Sequence, residues 1–405
     1  MIPYGGLYFF YLLLLLLIPA IILGINEKSL KLYGMAINIL FIILLFGSTK
    51  KQLLFLLFFY LTECILVVTY SYLRKHFQQR WLLWIMVILS LMPLLMTKSA
   101  NIFFNKQLGF LGISYLTFKV IQVLIETYDR LITKFSLWEF TYFLLFFPTI
   151  SSGPIDRSRR FTEDINTILP KSEYVLLAKK GLYKIFLGIF YKFVIGAIIS
   201  TFWLNKLPST HTLFNTVNYM YAYSFFLFFD FAGYSLMAIG CSYILGVKTP
   251  DNFNLPFISK DIKDFWNRWH MSLSFWFRDY IYTRFVMTSL KKKRFKNRYV
   301  VSYIGYLITM LTMGIWHGTE KSYLLYGVYH GCLIVGTDLF HRKSKWYKRM
   351  KNNTLWNYFT IFITFHLICF GFLIFSGFLF KNNIIISQLS RDSFIFKIIR
   401  KILVH

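Results

Sequence analysis

Two histidine-bearing segments contain the residues with which this sequence could perform chemistry. Asp264–Tyr280 reads DFWNRWHMSLSFWFRDY and contains His270, whereas Gly314–Gly318 reads GIWHG and contains His317. His317 ends an apolar run, so we predict that it lies within or near a bilayer, where a polar imidazole is costly unless it is partnered. A titratable group kept in such a place is a functional candidate, and imidazole exchanges a proton near neutral pH. These residues predict a membrane enzyme built around histidine.

The rest of the chain has the composition of a membrane protein. Of its 405 residues, 57% are hydrophobic and 21% are aromatic, and the mean hydropathy is +0.53. Apolar runs near the roughly 20 residues that span a bilayer recur from end to end. They predict helices at 7–24, 32–48, 53–72, 81–97, 108–128, 137–150, 182–204, 217–246, 299–316, 322–339 and 355–378. We therefore predict an all-α polytopic membrane protein of ten to twelve spans, some elements re-entrant or interfacial, in one membrane domain over residues 1–405.

The first apolar run is predicted to be a membrane span rather than a cleaved signal peptide. No Lys or Arg precedes the run Leu7–Gly24, and no small-residue cleavage pattern ends it. Lys28 and Lys31 follow the run, and positive charge favours the cytoplasmic side, so the amino terminus is predicted to be external. The four cysteines are isolated and no Cys/His metal spacing exists, which supports neither a disulfide framework nor a metal site.

The segment Phe265–Leu290 is predicted to form one amphipathic helix. Its tryptophans alternate with polar residues, which makes it too polar for a lipid-facing span and favours an interfacial helix or one that lines a polar cavity. On one face of such a helix, Asn267 precedes His270 by three residues and Ser274 follows it by four. That face could orient the imidazole or hold a polar group of a substrate.

The net charge of +28 is concentrated in two basic clusters. Lys291–Arg298 and Arg342–Lys351 contain six basic residues each and flank a predicted helical hairpin over residues 299–339. Ordinary positive-inside topology and attraction to anionic lipid account for most of this charge. Attraction of an acidic soluble partner is the second interpretation.

These motifs resemble those of the membrane-bound O-acyltransferase (MBOAT) family. The resemblance rests on FWNRWHMSLSFWFRDYIY at 265–282, followed some forty residues later by GIWHG in a hydrophobic helix. FPTISSGPIDRSRR at 147–160, FFDFAGYSLMAIG at 228–240 and NFNLPF at 252–257 extend it over roughly residues 100–380. Joined to the run KKKRFKNR, the segment IKDFWNRWHMSLSFWFRDY looks most like the branch of the family that transfers D-alanine to teichoic acid.

The resemblance implies a fold, a donor and an acceptor. The fold is a ring of about ten to twelve helices around a central tunnel, with 1–100 as amino-terminal helices, 100–380 as the catalytic core and 381–405 as a basic tail. The donor is D-alanine held as a phosphopantetheine thioester on a small acidic carrier protein at the cytoplasmic face, and no cofactor is bound by the chain itself. The acceptor is a hydroxyl of teichoic acid, or of an intermediate acceptor, at the outer face. Membrane lipids and accessory membrane subunits are further expected partners, and nucleic acid is not.

The resemblance also assigns roles to individual residues. It places the catalytic histidine at His317, as a general base, and the second signature histidine at His270. We predict that further residues support the site along the tunnel, namely Trp266, Asn267, Ser274, Trp316 and His330. Together with the charge pattern, it predicts a carrier-docking surface of apolar residues followed by basic ones, namely Phe285, Val286, Met287, Leu290, Lys291, Lys292, Lys293 and Arg294.

Other functions remain open from the residues alone. Another O-acyltransferase of this family, such as a polysaccharide O-acetyltransferase, would share the histidine motifs. A transporter or flippase would also be polytopic and basic, but we find no convincing internal repeat of the kind that such proteins contain. A membrane scaffold without catalysis would not explain His317. We interpret the carboxylates Glu126 and Asp230 as structural pairing partners.

Overall fold

A computed structural model describes residues 3–47, 49–104, 109–208 and 212–380 of the chain. Within these ranges the regular structure is helical, with an isolated strand-like bridge between Phe253 and Trp269. Seven of the described helices are long and apolar enough to cross a membrane. The predicted all-α polytopic class is therefore confirmed. The predicted basic tail over residues 381–405 lies outside the described residues.

The chain divides into two compact units. The first runs to Ile189 and also contains Gly233–Asp251, and the second contains Phe190–Ala232 and the chain from Asn252 onward. The prediction of one membrane domain, with a subdivision at residue 100, is not tested by this division and stays a prediction.

The helices of the first unit follow the apolar runs of the sequence. They are α1 (Leu7–Ile25), α2 (Lys31–Phe46), α3 (Lys50–His76), α4 (Arg80–Phe104), α5 (Ile113–Tyr128), α6 (Leu137–Leu145), α7 (Ser158–Asn166), α8 (Lys171–Ile189) and the second part of α9 (Leu213–Ile244). The predicted helix over 137–150 is α6, which has 9 residues. At 1.5 Å per residue it is about 14 Å long, so it cannot cross a bilayer by itself.

Close packing of α8 against the second part of α9 depends on glycine. A Cβ atom built on Gly181 would lie 2.8 Å from the carbonyl oxygen of Gly240, and one built on Gly240 would lie 2.4 Å from the carbonyl oxygen of Gly181. No side chain fits between backbones at these distances. Small residues bring helix backbones together in a membrane, where dispersion and weak hydrogen bonds replace the hydrophobic effect as the cause of association.

The carboxylates of Glu126 and Asp230 are paired, as the sequence predicts. In the first unit, Glu126 accepts a hydrogen bond from the hydroxyl of Ser158 at 3.1 Å and lies 3.5 Å from the guanidinium of Arg159. In the second unit, Asp230 forms an ion pair with Lys192. Buried or partly buried charges are tolerated where such partners are present. Both carboxylates therefore have partners, and their structural rather than catalytic role stays a prediction.

The second unit contains the motif-bearing segments. It begins with a π-helical stretch and the first part of α9, and its later helices are α10 (Ile262–Trp266), α11 (Met271–Phe277), α12 (Thr283–Lys291), α13 (Arg298–His317), α14 (Lys321–Lys343), α15 (Lys345–Met350) and α16 (Thr354–Phe375). The predicted hairpin over residues 299–339 is confirmed, because α13 and α14 pack together and are joined by the short turn Gly318–Glu320.

The predicted continuous helix over Phe265–Leu290 is wrong. The segment consists of α10, a left-handed break at His270, α11, a π-helical turn over Arg278–Tyr282, and α12. The amphipathic pattern indicated the buried and exposed positions, but it contains no signal for the break. Backbone conformation at His270 depends on hydrogen bonds from a loop that is distant in sequence.

The glycine contact predicts a stability difference between two glycine positions. Gly240→Val should lower the melting temperature of the detergent-solubilised protein, because overpacking of a close contact typically costs about 1–3 kcal/mol. Gly336→Val is the matched control, since a Cβ at Gly336 would meet nothing within 4 Å. Equal melting temperatures for the two variants would show that the α8–α9 contact does not require glycine.

Candidate active site

His270 occupies the break between α10 and α11 in an uncommon backbone conformation. Its φ is 43° and its ψ is 51°, in the left-handed region. For a residue other than glycine such a conformation costs about 1–3 kcal/mol, and it persists where surrounding contacts enforce it. The direction of the His270 side chain is therefore fixed by this turn and not by a helical face.

A loop from earlier in the chain holds the turn at His270 on both sides. The carbonyl oxygen of Asn252 accepts a hydrogen bond from the amide of Met271 at 2.9 Å, and its Oδ1 accepts one from the hydroxyl of Ser272 at 2.6 Å. On the other side, the amide of Asn254 donates to the carbonyl oxygen of Arg268 at 2.9 Å. The motif NFNLPF thus has a physical role, because its backbone and Asn252 side chain fix the residues that flank His270.

The imidazole of His270 is buried against an aromatic ring. Its exposed fraction is 4%, and its ring lies edge-on to Phe231 with centroids 4.7 Å apart. His270 lies outside the seven candidate spans, and burial, together with a smaller effect of His317, lowers its pKa to about 3. His270 is therefore neutral at physiological pH. The influence of His317 on the pKa of His270 indicates that the two imidazoles lie near each other, and their shared catalytic role stays a prediction.

His317 lies at the end of α13, where aromatic rings surround a half-buried imidazole. The ring of Phe375 meets it edge-on at a centroid distance of 5.0 Å, and Trp316 lies 4.6 Å away. Tyr323 and Tyr326, both on α14, lie 6.1 and 6.3 Å away. Trp316 is the sequence neighbour of His317, and its predicted supporting role stays a prediction.

Tyr326 joins the two ends of a ring cluster that sequence reasoning did not assign to the site. Its ring lies 6.3 Å from that of His317 and 4.5 Å from that of His330, and it is buried. Trp266 lies 5.2 Å from His330 and completes the cluster. The sequence signal for Tyr326 was its spacing of four residues before His330, which places both on one face of α14.

His330 is fully buried and packs on the backbone of α16. A Cβ atom built on Gly371 would lie 2.5 Å from its Nε2, so the imidazole occupies the space that only a glycine leaves there. Neither ring nitrogen has a hydrogen-bond partner among the described residues. His330 therefore belongs to the wall of the site, and its predicted supporting role stays a prediction.

Asn267 and Ser274 lie on opposite sides of the break at His270, so they do not share one helical face. Asn267 ends α10 and its side chain is exposed. The hydroxyl of Ser274 donates to the carbonyl oxygen of Trp269 at 3.1 Å, while its amide donates to the carbonyl oxygen of His270 at 3.0 Å. The shared face expected from a continuous helix is therefore not formed. Ser274 instead stabilises the first turn of α11, which begins at the break.

The predicted carrier-docking residues fall into two classes of exposure. Met287 and Leu290 are 63% and 42% exposed, and Lys291, Lys292, Lys293 and Arg294 are exposed as well. Phe285 and Val286 are partly buried, and a Cβ on Gly305 of α13 would lie 3.1 Å from a methyl group of Val286. The exposed part of this surface is therefore Met287, Leu290 and the basic run.

A metal ion in a protein is typically held by three or more His, Cys, Asp or Glu side chains. Across the described ranges, no three His, Cys, Asp or Glu side chains are grouped so that they could hold an ion. The polar atoms of the ring cluster are imidazole, phenol and indole groups.

The helices that could span a membrane define an integral membrane protein. A buried imidazole at a helix break and a half-buried one at a helix end give it an internal polar site. A family model of the membrane-bound O-acyltransferase family (MBOAT) matches residues 31–352. The chain belongs to this family and is a multi-pass membrane acyltransferase. The resemblance found in the histidine motifs is confirmed.

The chain is similar to named enzymes over nearly its whole length. It is 46% identical to the teichoic acid D-alanyltransferase of Bacillus subtilis, over 93% of this chain and 98% of that protein. It is 41% identical to the teichoic acid D-alanyltransferase of Streptococcus thermophilus, over 93% of this chain and 95% of that protein. A probable alginate O-acetylase of Pseudomonas aeruginosa is 34% identical, over 55% of this chain and 41% of that protein.

The buried state of His270 predicts an acid-sensitive part of the protein's stability. Because its folded pKa of about 3 lies below the ordinary value of 6.5, the folded state binds fewer protons than the unfolded state between these values. Stability should therefore fall as the pH is lowered through this window, by up to about 2 kcal/mol at pH 5.

The measurement compares melting temperatures at pH 7.5 and pH 5.0 in detergent. The melting temperature of wild type should fall more on acidification than that of His270→Gln, because glutamine does not bind a proton in this pH range. His366→Gln, a partly buried histidine of α16 whose Nδ1 bonds the carbonyl oxygen of Phe362, is the control and should follow wild type. An equal loss in wild type and His270→Gln would show that His270 is not desolvated.

Proposed function

We propose that this chain transfers D-alanine from a carrier-protein phosphopantetheine thioester at the cytoplasmic face to a hydroxyl at the outer face, in the D-alanylation of teichoic acid. The observation that supports this proposal most is the similarity to teichoic acid D-alanyltransferases over 93% of the chain. The similarity to the alginate O-acetylase covers 55% of the chain, so it accounts for less of the sequence. The geometry of the histidine site supports acyl transfer to an oxygen nucleophile in either case.

The proposed reaction needs one proton acceptor beside the acceptor hydroxyl. The hydroxyl oxygen attacks the thioester carbonyl while its proton passes to a ring nitrogen of His317. The carbon–sulfur bond then breaks, the thiol leaves with a proton, and the ester remains on the acceptor. Direct transfer of this kind needs no covalent enzyme intermediate.

The difference in burial between the two histidines supports a division of roles. A general base is most effective when its pKa is near the working pH, and a pKa of about 3 makes His270 a weak proton acceptor. His317 is half-buried and lies among aromatic rings at a helix end. We therefore assign the base to His317, and to His270 the orientation of the reacting groups through its ring nitrogens.

The donor is proposed to arrive at the basic end of α13. By the positive-inside rule, Lys291–Arg298 lies at the cytoplasmic face and the amino terminus of the chain lies outside. His317 follows Arg298 by 19 residues of helix, which is about 28 Å at 1.5 Å per residue. A donor docked at the basic end must therefore bring its acyl group inward on an extended arm, which supports a tunnel and a phosphopantetheine donor.

The first test concerns the assignment of the base. His317→Ala should reduce D-alanyl transfer by about 10²–10⁴-fold, because general base catalysis typically contributes that much. His270→Ala should reduce transfer less, and His76→Ala, which changes an exposed histidine at the end of α3, should leave it unchanged. The measurement follows labelled D-alanine from the carrier thioester to lipid-linked acceptor in proteoliposomes.

Two results of this assay would contradict the proposal. A correctly folded His317→Ala protein with more than about a tenth of wild-type turnover would exclude His317 as the base. If wild type transferred acetyl groups and no D-alanine, the protein would be an O-acetyltransferase and not a D-alanyltransferase.

The second test concerns carrier docking. Met287→Asp and Leu290→Asp should each weaken carrier affinity at least tenfold, because a carboxylate replaces an exposed apolar contact and repels an acidic partner. Charge reversal at Lys291 and Arg294 should mainly slow association and reduce its dependence on salt. Affinity and rates are measured by titrating purified carrier against detergent-solubilised protein.

The control for docking is an exposed apolar residue beside the other basic cluster. Leu355, at the start of α16, follows Arg342–Lys351 and is strongly exposed. Leu355→Asp should leave carrier affinity unchanged. Val286→Asp is less informative, because Val286 also packs near Gly305 and its loss would disturb the fold. Unchanged affinity in folded Met287→Asp and Leu290→Asp proteins would place the docking surface elsewhere.

A further inference from the structure

A basic cavity in the first unit is separate from the histidine site and has no role in the proposed reaction. It has a volume of about 700 Å³ and lies where the end of α3 meets the loop that follows α5. Its lining residues from α3 are Val68, Ser71, Tyr72, Arg74 and Lys75, and those from α5 and its loop are Thr127, Arg130, Ile132, Thr133, Lys134 and Phe135. Four of these residues are basic and none is acidic.

The cavity's positive charge is not compensated by carboxylates on its wall. The guanidinium of Arg74 is held in place by hydrogen bonds that it donates to the backbone carbonyl oxygens of Tyr128, at 2.9 Å, and Phe77, at 3.2 Å. Among the described residues, Lys75, Arg130 and Lys134 form no ion pair. Asp129 adjoins Arg130 in sequence but does not line the cavity. Four cations around one space form a receptor for an anion.

Unused hydrogen-bond donors on the inner wall point to the same kind of ligand. Thr127 is 5% exposed and lines the cavity, and its Oγ1 has no hydrogen-bond partner among the described residues. The hydroxyl of Ser71 is likewise buried and without such a partner. A buried hydroxyl that makes no hydrogen bond costs free energy, so an acceptor atom is expected beside it. Phosphate oxygens are strong acceptors that suit both hydroxyls and the basic side chains.

The surface next to the cavity is apolar and exposed. On α3, which is a candidate span, the residues Leu61, Ile65, Val68 and Tyr72 are exposed and recur every three or four residues, so they form one stripe. Val68 and Tyr72 also line the cavity. From Tyr72 to Leu61 the stripe is about 16 Å long, close to half of the roughly 30 Å hydrocarbon thickness of a bilayer.

We infer that this cavity binds the headgroup of an anionic phospholipid, with an acyl chain along the exposed stripe of α3. The phosphate lies among Lys75, Arg130 and Lys134 and accepts hydrogen bonds from Thr127 and Ser71. A soluble phosphate ester would share the headgroup contacts but would leave the stripe without a partner. The site does not depend on the proposed function, because it lies in the first unit and involves none of the histidine residues.

The test measures retention of lipid by the full-length protein in detergent. Phosphatidylglycerol and phosphatidylcholine with identical acyl chains are titrated, and bound lipid is counted by native mass spectrometry. Wild type should bind one phosphatidylglycerol in preference to phosphatidylcholine. Lys75→Ala/Lys134→Ala should weaken this binding about thirtyfold, since each basic residue near an anionic headgroup contributes about a factor of five. Thr127→Val, which removes a hydroxyl without changing charge or size, should weaken it several-fold.

The controls separate a defined site from general attraction of charge. Lys171→Ala/Lys179→Ala removes two exposed lysines from the first unit away from the cavity and should bind lipid like wild type. Glycerol 3-phosphate, which carries the headgroup chemistry without acyl chains, should bind wild type far more weakly than phosphatidylglycerol. Melting temperatures in lipid-free detergent show whether each variant is folded. If the lysine variant is unfolded, the lipid binding of Thr127→Val tests the inference instead.

Three outcomes would overturn the inference. Equal binding of the two lipids by wild type would exclude recognition of negative charge. An equal loss of binding in the cavity and control lysine variants would mean that the charge acts without a site. Binding of glycerol 3-phosphate as tight as that of phosphatidylglycerol would identify a site for a soluble phosphate ester instead.

Discussion

Desolvation of imidazole is the constraint on which the second unit depends. Removing a histidine from water disfavours its charged form, so His270 remains neutral and packs edge-on against Phe231. His330 is accommodated in the same way among Trp266 and Tyr326, over the backbone of Gly371. The irregular backbone at His270 is held by hydrogen bonds from Asn252 and Asn254, and it places the imidazole against Phe231, out of water.

The first unit accommodates its buried polar groups differently. Lys119 on α5 is almost fully buried and donates to the carbonyl oxygen of Phe143 at 2.9 Å. Glu126, two turns further along the helix, accepts from Ser158 and pairs with Arg159. Lys119 and Glu126 thus have hydrogen-bonded partners, whereas the second unit buries imidazoles among aromatic rings. The buried carboxylate of Glu63 on α3 is an exception in the first unit, because neither of its oxygens has a hydrogen-bond partner among the described residues. A paired interior favours a fixed fold, and neutral imidazoles leave ring nitrogens for chemistry.

The sequence predicted the features that depend on local composition. The apolar run before His317 and the polar turn after it predicted the hairpin of α13 and α14, and the MBOAT motifs predicted the family. The break at His270 was missed, because its left-handed backbone depends on hydrogen bonds from Asn252 and Asn254, which lie 16 to 18 residues earlier. Tyr326 was not assigned to the site for a similar reason. Its place between His317 and His330 depends on how α13 and α14 pack, which the local sequence does not show.

The broken segment between α9 and α13 has a consequence for how the protein is made. The helices α11 and α12 and the π-helical turn between them run without interruption from Met271 to Lys291, but this run is too polar to be among the seven described helices that could cross a membrane. The segment is therefore not inserted on its own hydrophobicity. Its neighbours α9 and α13 are candidate spans, so we expect the histidine-bearing segment to take its position by packing against helices that are already inserted.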